Sequence, residues 1–407
     1  MGIRCEGKRL PPPGNGALTP PGAFAILGGP VIKPSRMYLD FSTPDDLARH
    51  IAARPEAAAH PLWLVLLADW HGEALAEIAA TLESAGIRAC GALFPGLIDG
   101  GAVRHKGAIV VALPGESRWA IADLAPGSVS WRQPPPSLEG CGDVSSIVLV
   151  DCLGPNVAGL LEALYDLYGH GLPQFGAGAG YHDLRVAPTL FAAGSALANA
   201  GLTILVPERF TVRVRHGWRR VRGPFVASRT RGSKLLELNW EPAGRFYRQQ
   251  VEAENPALTG RPVFPDLNSS YPLGIGRDGS EDVIRDPMGV DEADQGIALL
   301  SDLRENTLLY LVHGDRGSLV AAAREAVAAC AAPGDVARCL VSDCFSRALM
   351  LGDAFPEELA AVGEELAKFT ATRPEGVLAL GEIATDGRQP IEFFNKTFVV
   401  ALAHTPS

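Results

Sequence analysis

The residues most able to do chemistry cluster in a few places along the chain. Positions 209–234 hold nine Arg or Lys (209, 213, 215, 219, 220, 222, 229, 231 and 234) and no Asp or Glu. Arginine forks of that kind hold carboxylates or phosphates, and they also occur as the wet face of a hairpin. His216-Gly217-Trp218-Arg219 lies at the centre of this segment. A neutral imidazole beside Trp218 and Arg219 has the chemistry of a haem-iron ligand, with arginine pairing the propionates. Ser342-Asp343-Cys344-Phe345-Ser346-Arg347 places Cys344 at a turn after an apolar run. A thiol there is a candidate nucleophile if a helix N-terminus lowers its pKa, and otherwise a buried strand-end cysteine. Gly176, Gly178 and Gly180 alternate in Phe175-Gly-Ala-Gly-Ala-Gly180. They read as a tight strand with close backbone approach, or as backbone facing a ligand; no phosphate-loop Lys follows. The nine histidines form no H-x-x-x-H or H-E-x-x-H pair, and no G-x-S-x-G elbow occurs.

These residues need elements to hold them, and the pattern of those elements repeats. Leu62–Leu67 is an apolar run short enough for a buried strand. A helix over 73–84 follows, with Leu75, Ile78, Ala79 and Leu82 at helical spacing, then strands at 87–93 and 107–113. The order returns at 146–151, 157–168, 175–180 and 202–206, and again at 337–342, 357–369, 376–381 and 397–402. Each unit reads strand, helix, Gly-rich strand, loop, strand. The expected class is therefore α/β: a layered sandwich of mixed sheets with duplicated strand-helix-strand-strand units. Alternation in Phe210–Leu238 predicts antiparallel hairpins there. Order begins near Met37–Phe41, and Ser42-Thr43-Pro44 opens a helix over 45–53.

Composition excludes other classes. The chain has 407 residues, 47% hydrophobic, with mean hydropathy +0.11 and net charge −10. That is too apolar for a disordered chain and too acidic for a general nucleic-acid binder. No apolar run approaches a membrane span. The N-terminus lacks an apolar core for a signal peptide, and the seven cysteines contain no C-x-x-C, so reduced thiols and a cytoplasmic location are expected.

Several stretches, in order, resemble the FIST family of bacterial sensory proteins. Gly91-Ala92-Leu93-Phe94-Pro95-Gly96-Leu97 and Gly176–Gly180 are similar to Gly-rich strands of its N-terminal domain. His216–Pro224 resembles its H/Q-G-C/W-R-P-V-G-P stretch, with Arg220 in place of Pro. Leu236–Ala243 resembles another, with Asn239-Trp240 where Asp-Gly is usual. Tyr271–Gly276, Val283-Ile284-Arg285-Asp286-Pro287, and Gly381-Glu382-Ile383 with Phe394-Asn395-Lys396-Thr397 resemble its C-terminal domain.

The Pro- and Gly-rich residues 1–36 are expected to form a flexible arm; the resemblance implies an N-type sensory domain over 37–238 and a C-type domain over 239–407. It implies a sensor of a small ligand, not an enzyme. The ligand would be amino-acid-like, or haem with nitric oxide, and His216 is the position carried over as iron ligand. Gly176, Gly178, Gly180, His216, Trp218, Arg219, Arg285, Cys344, Arg347 and Glu382 become the candidate ligand-binding set. No kinase, receiver or helix-turn-helix pattern is present, so output would act in trans on a partner such as a histidine kinase, without nucleic acid or membrane insertion. Two alternatives remain open at this point. One is an enzyme using Cys344, Glu382 and Arg347, since the first two fall at matching ends of neighbouring repeat strands. The other is a ligand-free interaction scaffold.

Overall fold

A computed structural model describes residues 36–139, 142–277, 281–331 and 335–404. The arm expected over 1–36 lies, up to residue 35, outside the described residues, as do Cys5 and Cys141. The chain is mixed α/β, with 28% helix and 39% strand in several mixed sheets, a layered α/β sandwich.

The repeat is real and threefold. The first unit comprises β1 (Leu62–Ala68), α1 (Leu75–Ser84), β2 (Ala89–Phe94) and β3 (Ala108–Leu113). The second comprises β4 (Ser145–Asp151), α2 (Val157–Tyr168), β5 (Gln174–Ala179) and β6 (Ala200–Val206). The third comprises β7 (Val336–Cys344), α3 (Phe355–Leu366), β8 (Pro374–Ala379) and β9 (Phe398–His404). In each, the first strand pairs in parallel with the Gly-rich strand and antiparallel with the last. Both faces of these strands are covered, which is why they read as continuous apolar runs and not as alternation. The helices place leucines on one side: Leu160, Leu161 and Leu164 of α2 are buried, each worth about 2 kcal/mol in apolar area removed from water.

One glycine recurs at the same place in all three units. Gly91, Gly176 and Gly376 sit opposite Val65, Val148 and Val341 of the neighbouring parallel strand. A Cβ at these glycines would lie 1.8, 2.1 and 1.9 Å from the carbonyl oxygen of that valine. Only glycine permits the strands to approach so closely.

The units also exchange edges in a closed cycle. Gly96–Asp99, which follows β2, pairs with β8 of the third unit. Glu382–Thr385, which follows β8, pairs with β5 of the second. Leu190–Ala192, which follows β5, pairs with β2 of the first. Strands from either side of residue 239 therefore share three sheets. One apolar core joins the three units through Leu64, Ala92, Ile109, Ile147, Leu149, Ala177, Leu340, Val377 and Val399.

The expected hairpins over 210–238 form only in part. Arg219–Arg231 pairs antiparallel with Lys234–Leu238. Phe210–Arg215 instead joins β9, because it is the lead-in strand of the third unit. Tyr38–Leu39 and Arg118–Ala125 hold the matching place beside β3 and β6. Residues 219–313 form an insertion between that lead-in strand and the rest of the third unit. Its eight-stranded sheet packs against the helix Ala243–Glu254 through Leu235, Leu238, Phe246, Tyr247, Val251 and Leu309.

Candidate functional site

A cavity of about 840 Å³ opens at the carboxyl end of β4. That is where open α/β sheets place ligands, because the strand ends there and the helix N-terminus begins. The loop Cys152–Asn156 and the first turn of α2 form one wall. Ile275, Arg285, Met288 and residues 299–304 of the insertion form another, closed by Pro390–Phe393. The lining is mostly apolar, with two arginines, Arg285 and Arg304, four carboxylates, Glu162, Asp166, Asp302 and Glu392, and Asn156, Tyr165, Ser233, Ser301 and Thr307 as polar points.

Two features make the cavity attractive to an anion. α2 starts at Asn156, whose side chain caps none of the helix N–H groups but donates from Nδ2 to Ser128 O at 3.1 Å. Its first turn contains no acid. The start of α2, with no side-chain cap and no acid in its first turn, therefore borders the cavity at Val157 and Ala158, where the helix dipole favours an anion. Arg285 is 7% exposed. Its Nη1 donates to the carbonyls of Ile284 (3.2 Å) and Phe393 (3.1 Å), and Nη2 lies 3.4 Å from Glu392 Oε1. Its Nε has no partner among the described residues.

The remaining candidates fall elsewhere, and many form one sealed polar cluster. Arg347 is fully buried and forks onto Glu358, Nε to Oε1 at 3.0 Å and Nη2 to Oε2 at 2.7 Å. It also donates to His216 O at 2.7 Å and Leu319 O at 2.5 Å. Cys344 and Glu382 do converge, as their strand-end positions imply, and each acts electrostatically on the other. Thr397 N donates to Glu382 Oε2 at 3.2 Å. Lys396, 1% exposed, reaches Asp286 Oδ2 (3.2 Å) and Ser346 Oγ (2.8 Å), while Trp218 Nε1 donates to Lys396 O at 3.0 Å. Burial, then the Glu382 carboxyl, push the Cys344 thiol well above its ordinary pKa. That is the reverse of nucleophile activation. With Cys344 1% and Glu382 0% exposed, the pair is a packing element with no face open to a substrate.

His216 does not fit a haem iron. Trp218 N donates to its Nδ1 at 2.8 Å, so the ring proton sits on Nε2, which faces Glu281 Oε2 at 3.0 Å. Nδ1 is thus engaged, and Nε2, the nitrogen that would bind iron, carries the proton, makes no hydrogen bond and is covered by the Glu281 carboxyl. Burial, the largest cause, lowers its pKa to about 4. None of the described lining residues of the large cavity is a histidine.

The Gly-rich strand is equally committed. Beyond Gly176, a Cβ at Gly178 would lie 3.1 Å from Cys152 Cβ, and one at Gly180 would lie 2.2 Å from Leu380 Cδ1. Gly178 N donates to Gly381 O at 2.7 Å. These glycines serve close packing, and none lines the cavity. The basic segment is largely neutralised in space. Arg215 pairs with Glu281, Arg220 with Asp282, Arg222 with Glu254, Arg229 with Glu237, and Lys234 with Asp291 and Asp294. Arg219 is exposed. Of the candidate set, Arg285 alone lines the cavity. Sequence reasoning missed Asn156, Ser301, Asp302 and Glu392, which sit in loops without a motif, and missed Glu358, whose burial nothing in its helix marks.

A cavity that opens at a strand end, with polar points on an apolar lining, is the layout of a ligand-binding protein. The FIST N domain model matches residues 62–241 and the FIST C domain model matches residues 243–385. The chain belongs to the FIST family. FIST domains are associated with small-ligand sensing in signal transduction. No curated protein matches the chain. Among the described residues, no helix is long and apolar enough to cross a membrane.

Proposed function

We propose that the chain is a stand-alone cytosolic sensor whose ligand is a small carboxylate, amino-acid-like in its charges, held in the cavity beside α2. The observation that carries this reading is the buried Arg285 guanidinium, with its partnerless Nε, sharing a cavity with the uncapped start of α2. A carboxylate would take up both, while Asp302 or Glu392 would receive an ammonium group. The cavity walls belong to the second unit and to the insertion, so a bound ligand ties one to the other. An ion pair between Glu162 on α2 and Arg304 on the insertion already spans the two walls. A ligand that favours one spacing of these walls shifts their populations, and a partner such as a histidine kinase reads that shift in trans.

The test is a thermal-shift panel of amino acids and simple carboxylates on the whole chain. A ligand at a hundred times its Kd adds about 2.7 kcal/mol of stability. The shift is expected to vanish in Arg285→Met, to fall in Arg285→Lys, and to lose its preference for an ammonium group in Asp302→Asn. No response from any carboxylate, or an undiminished response in a folded Arg285→Met, overturns the reading.

A further inference from the structure

A second basic cluster lies outside the cavity, and nothing about the sensor reading uses it. Asp99 ends the strand Gly96–Asp99, and its carboxylate is fully buried. Arg36, Arg104 and Arg373 all converge on it from different parts of the chain. Arg36 Nε donates to Oδ1 at 3.1 Å, and its Nη2 also contacts Oδ2. Arg104 reaches Oδ2 from Nε at 3.0 Å and from Nη2 at 2.9 Å. Arg373 Nη2 reaches Oδ1 at 3.2 Å. Burial alone would raise the Asp99 pKa, but the hydrogen bonds from Arg36 and Arg104 outweigh it and hold the group below the usual carboxylate value.

Three guanidinium charges therefore face one carboxylate, in a chain whose net charge is −10. The nearby Glu375 accepts from Met37 N and Tyr38 N, both at 2.9 Å, and its charge also acts on Arg36 and Arg373, so it offsets part of this charge and leaves the three arginines in excess of the two carboxylates. One carboxylate has room for two forks; the third arginine is not needed to satisfy it. The three side chains keep 48%, 42% and 52% of their surface in solvent, so each offers unused N–H groups outward. They are also held in place. Arg36 and Arg104 lie 5.1 and 5.2 Å from the Tyr38 ring centroid. Gly100 has φ +62, and a Cβ there would lie 2.5 Å from Arg373 Nη2, so the glycine leaves the space this guanidinium fills.

We propose that Arg36, Arg104 and Arg373, anchored by Asp99, form a binding site for a small phosphate monoester. The excess positive charge suits an anion, and three fixed forks match a phosphate's several equivalent oxygens better than a carboxylate's two. The site is independent of the cavity at α2.

Inorganic phosphate is the probe, titrated calorimetrically into the whole chain at low ionic strength, where exposed charges are least screened. Saturable binding is expected, weakening about tenfold or more in Arg104→Gln/Arg373→Gln, since each guanidinium supplies charge-assisted hydrogen bonds. Arg36 still pairs with Asp99 in that variant, so the fold should stand; if it melts early, Arg373→Gln alone serves, with weaker binding again expected. Arg285→Met should bind phosphate as the unaltered chain does, so this result stands or falls apart from the sensor reading. Absence of saturable binding, equal binding in a folded double variant, or succinate binding as tightly as phosphate would each overturn the proposal.

Discussion

Replacing Arg347 by Met should unfold much of what the third unit contributes. The side chain is 0% exposed and satisfies four acceptors: two oxygens of Glu358 and the carbonyls of His216 and Leu319. Methionine fills a similar volume and donates nothing. Each orphaned buried carbonyl costs about 1–3 kcal/mol. Leaving Glu358 buried without its cation costs about 3–5 kcal/mol. These losses overlap, because the neighbourhood relaxes once, so the expected loss is about 4–8 kcal/mol against a typical stability of about 5–15 kcal/mol. The double variant Arg347→Met/Glu358→Leu removes both partners of the pair and should regain about 2–4 kcal/mol of that loss. Glu358→Leu alone leaves Arg347 without its bidentate partner, with Asp343 3.7 Å away as the remaining carboxyl, and should also be destabilising. Urea unfolding followed by tryptophan fluorescence gives the four midpoints of the cycle. A loss under about 1 kcal/mol for Arg347→Met, or a double variant no more stable than either single, would refute the claim that this arginine is a structural keystone.

Three further outcomes are expected. Gly176→Ala should cost about 3 kcal/mol or more in thermal melts, since its Cβ would lie 2.1 Å from Val148 O; Gly363→Ala in α3, with nothing within 4 Å, should gain up to about 1 kcal/mol from helix propensity. Burial, against the hydrogen bond from Thr397 N, raises the Glu382 pKa well above the usual carboxylate range. The folded chain then binds more protons than the unfolded one, so stability is full below the unfolded carboxylate pKa and falls as pH rises toward the folded value; Glu382→Gln should flatten that fall in urea midpoints measured across pH. Hemin added to the purified chain should give no Soret band that His216→Ala abolishes, because Nδ1 is engaged by Trp218 N and the protonated Nε2 is buried against Glu281.

How far the fold was legible depends on what each feature needs from its neighbours. Leu62–Leu67 and Ser146–Asp151 declare themselves because strands covered on both faces need apolar residues at every position. The helix at Val157–Tyr168 matches its expected bounds because its leucines recur at helical spacing. The edge exchange was not legible. Gly96–Asp99 carries no mark of pairing with β8 in place of its own unit, since that choice follows from closing three sheets into a cycle. The cavity escaped for a similar reason. Asn156, Ser301, Asp302 and Glu392 come from loops far apart in sequence, and only Arg285 sat in a recognisable stretch.

Charge shows most sharply where reading along the chain misleads. Residues 209–234 hold nine basic groups and no acid, yet Glu237, Glu254, Glu281, Asp282, Asp291 and Asp294 fold back onto them. A strand's cross-strand partners decide its local field, and those partners lie outside any window drawn around it. Arg36, Arg104 and Arg373 show the converse. None stands in a basic run, yet β-strand pairing brings Asp99 opposite both Ala102 and Glu375, and so draws all three arginines onto one carboxylate. The surplus of positive charge on this acidic protein is therefore a product of topology, and the strands that close the cycle of units are the ones that assemble it.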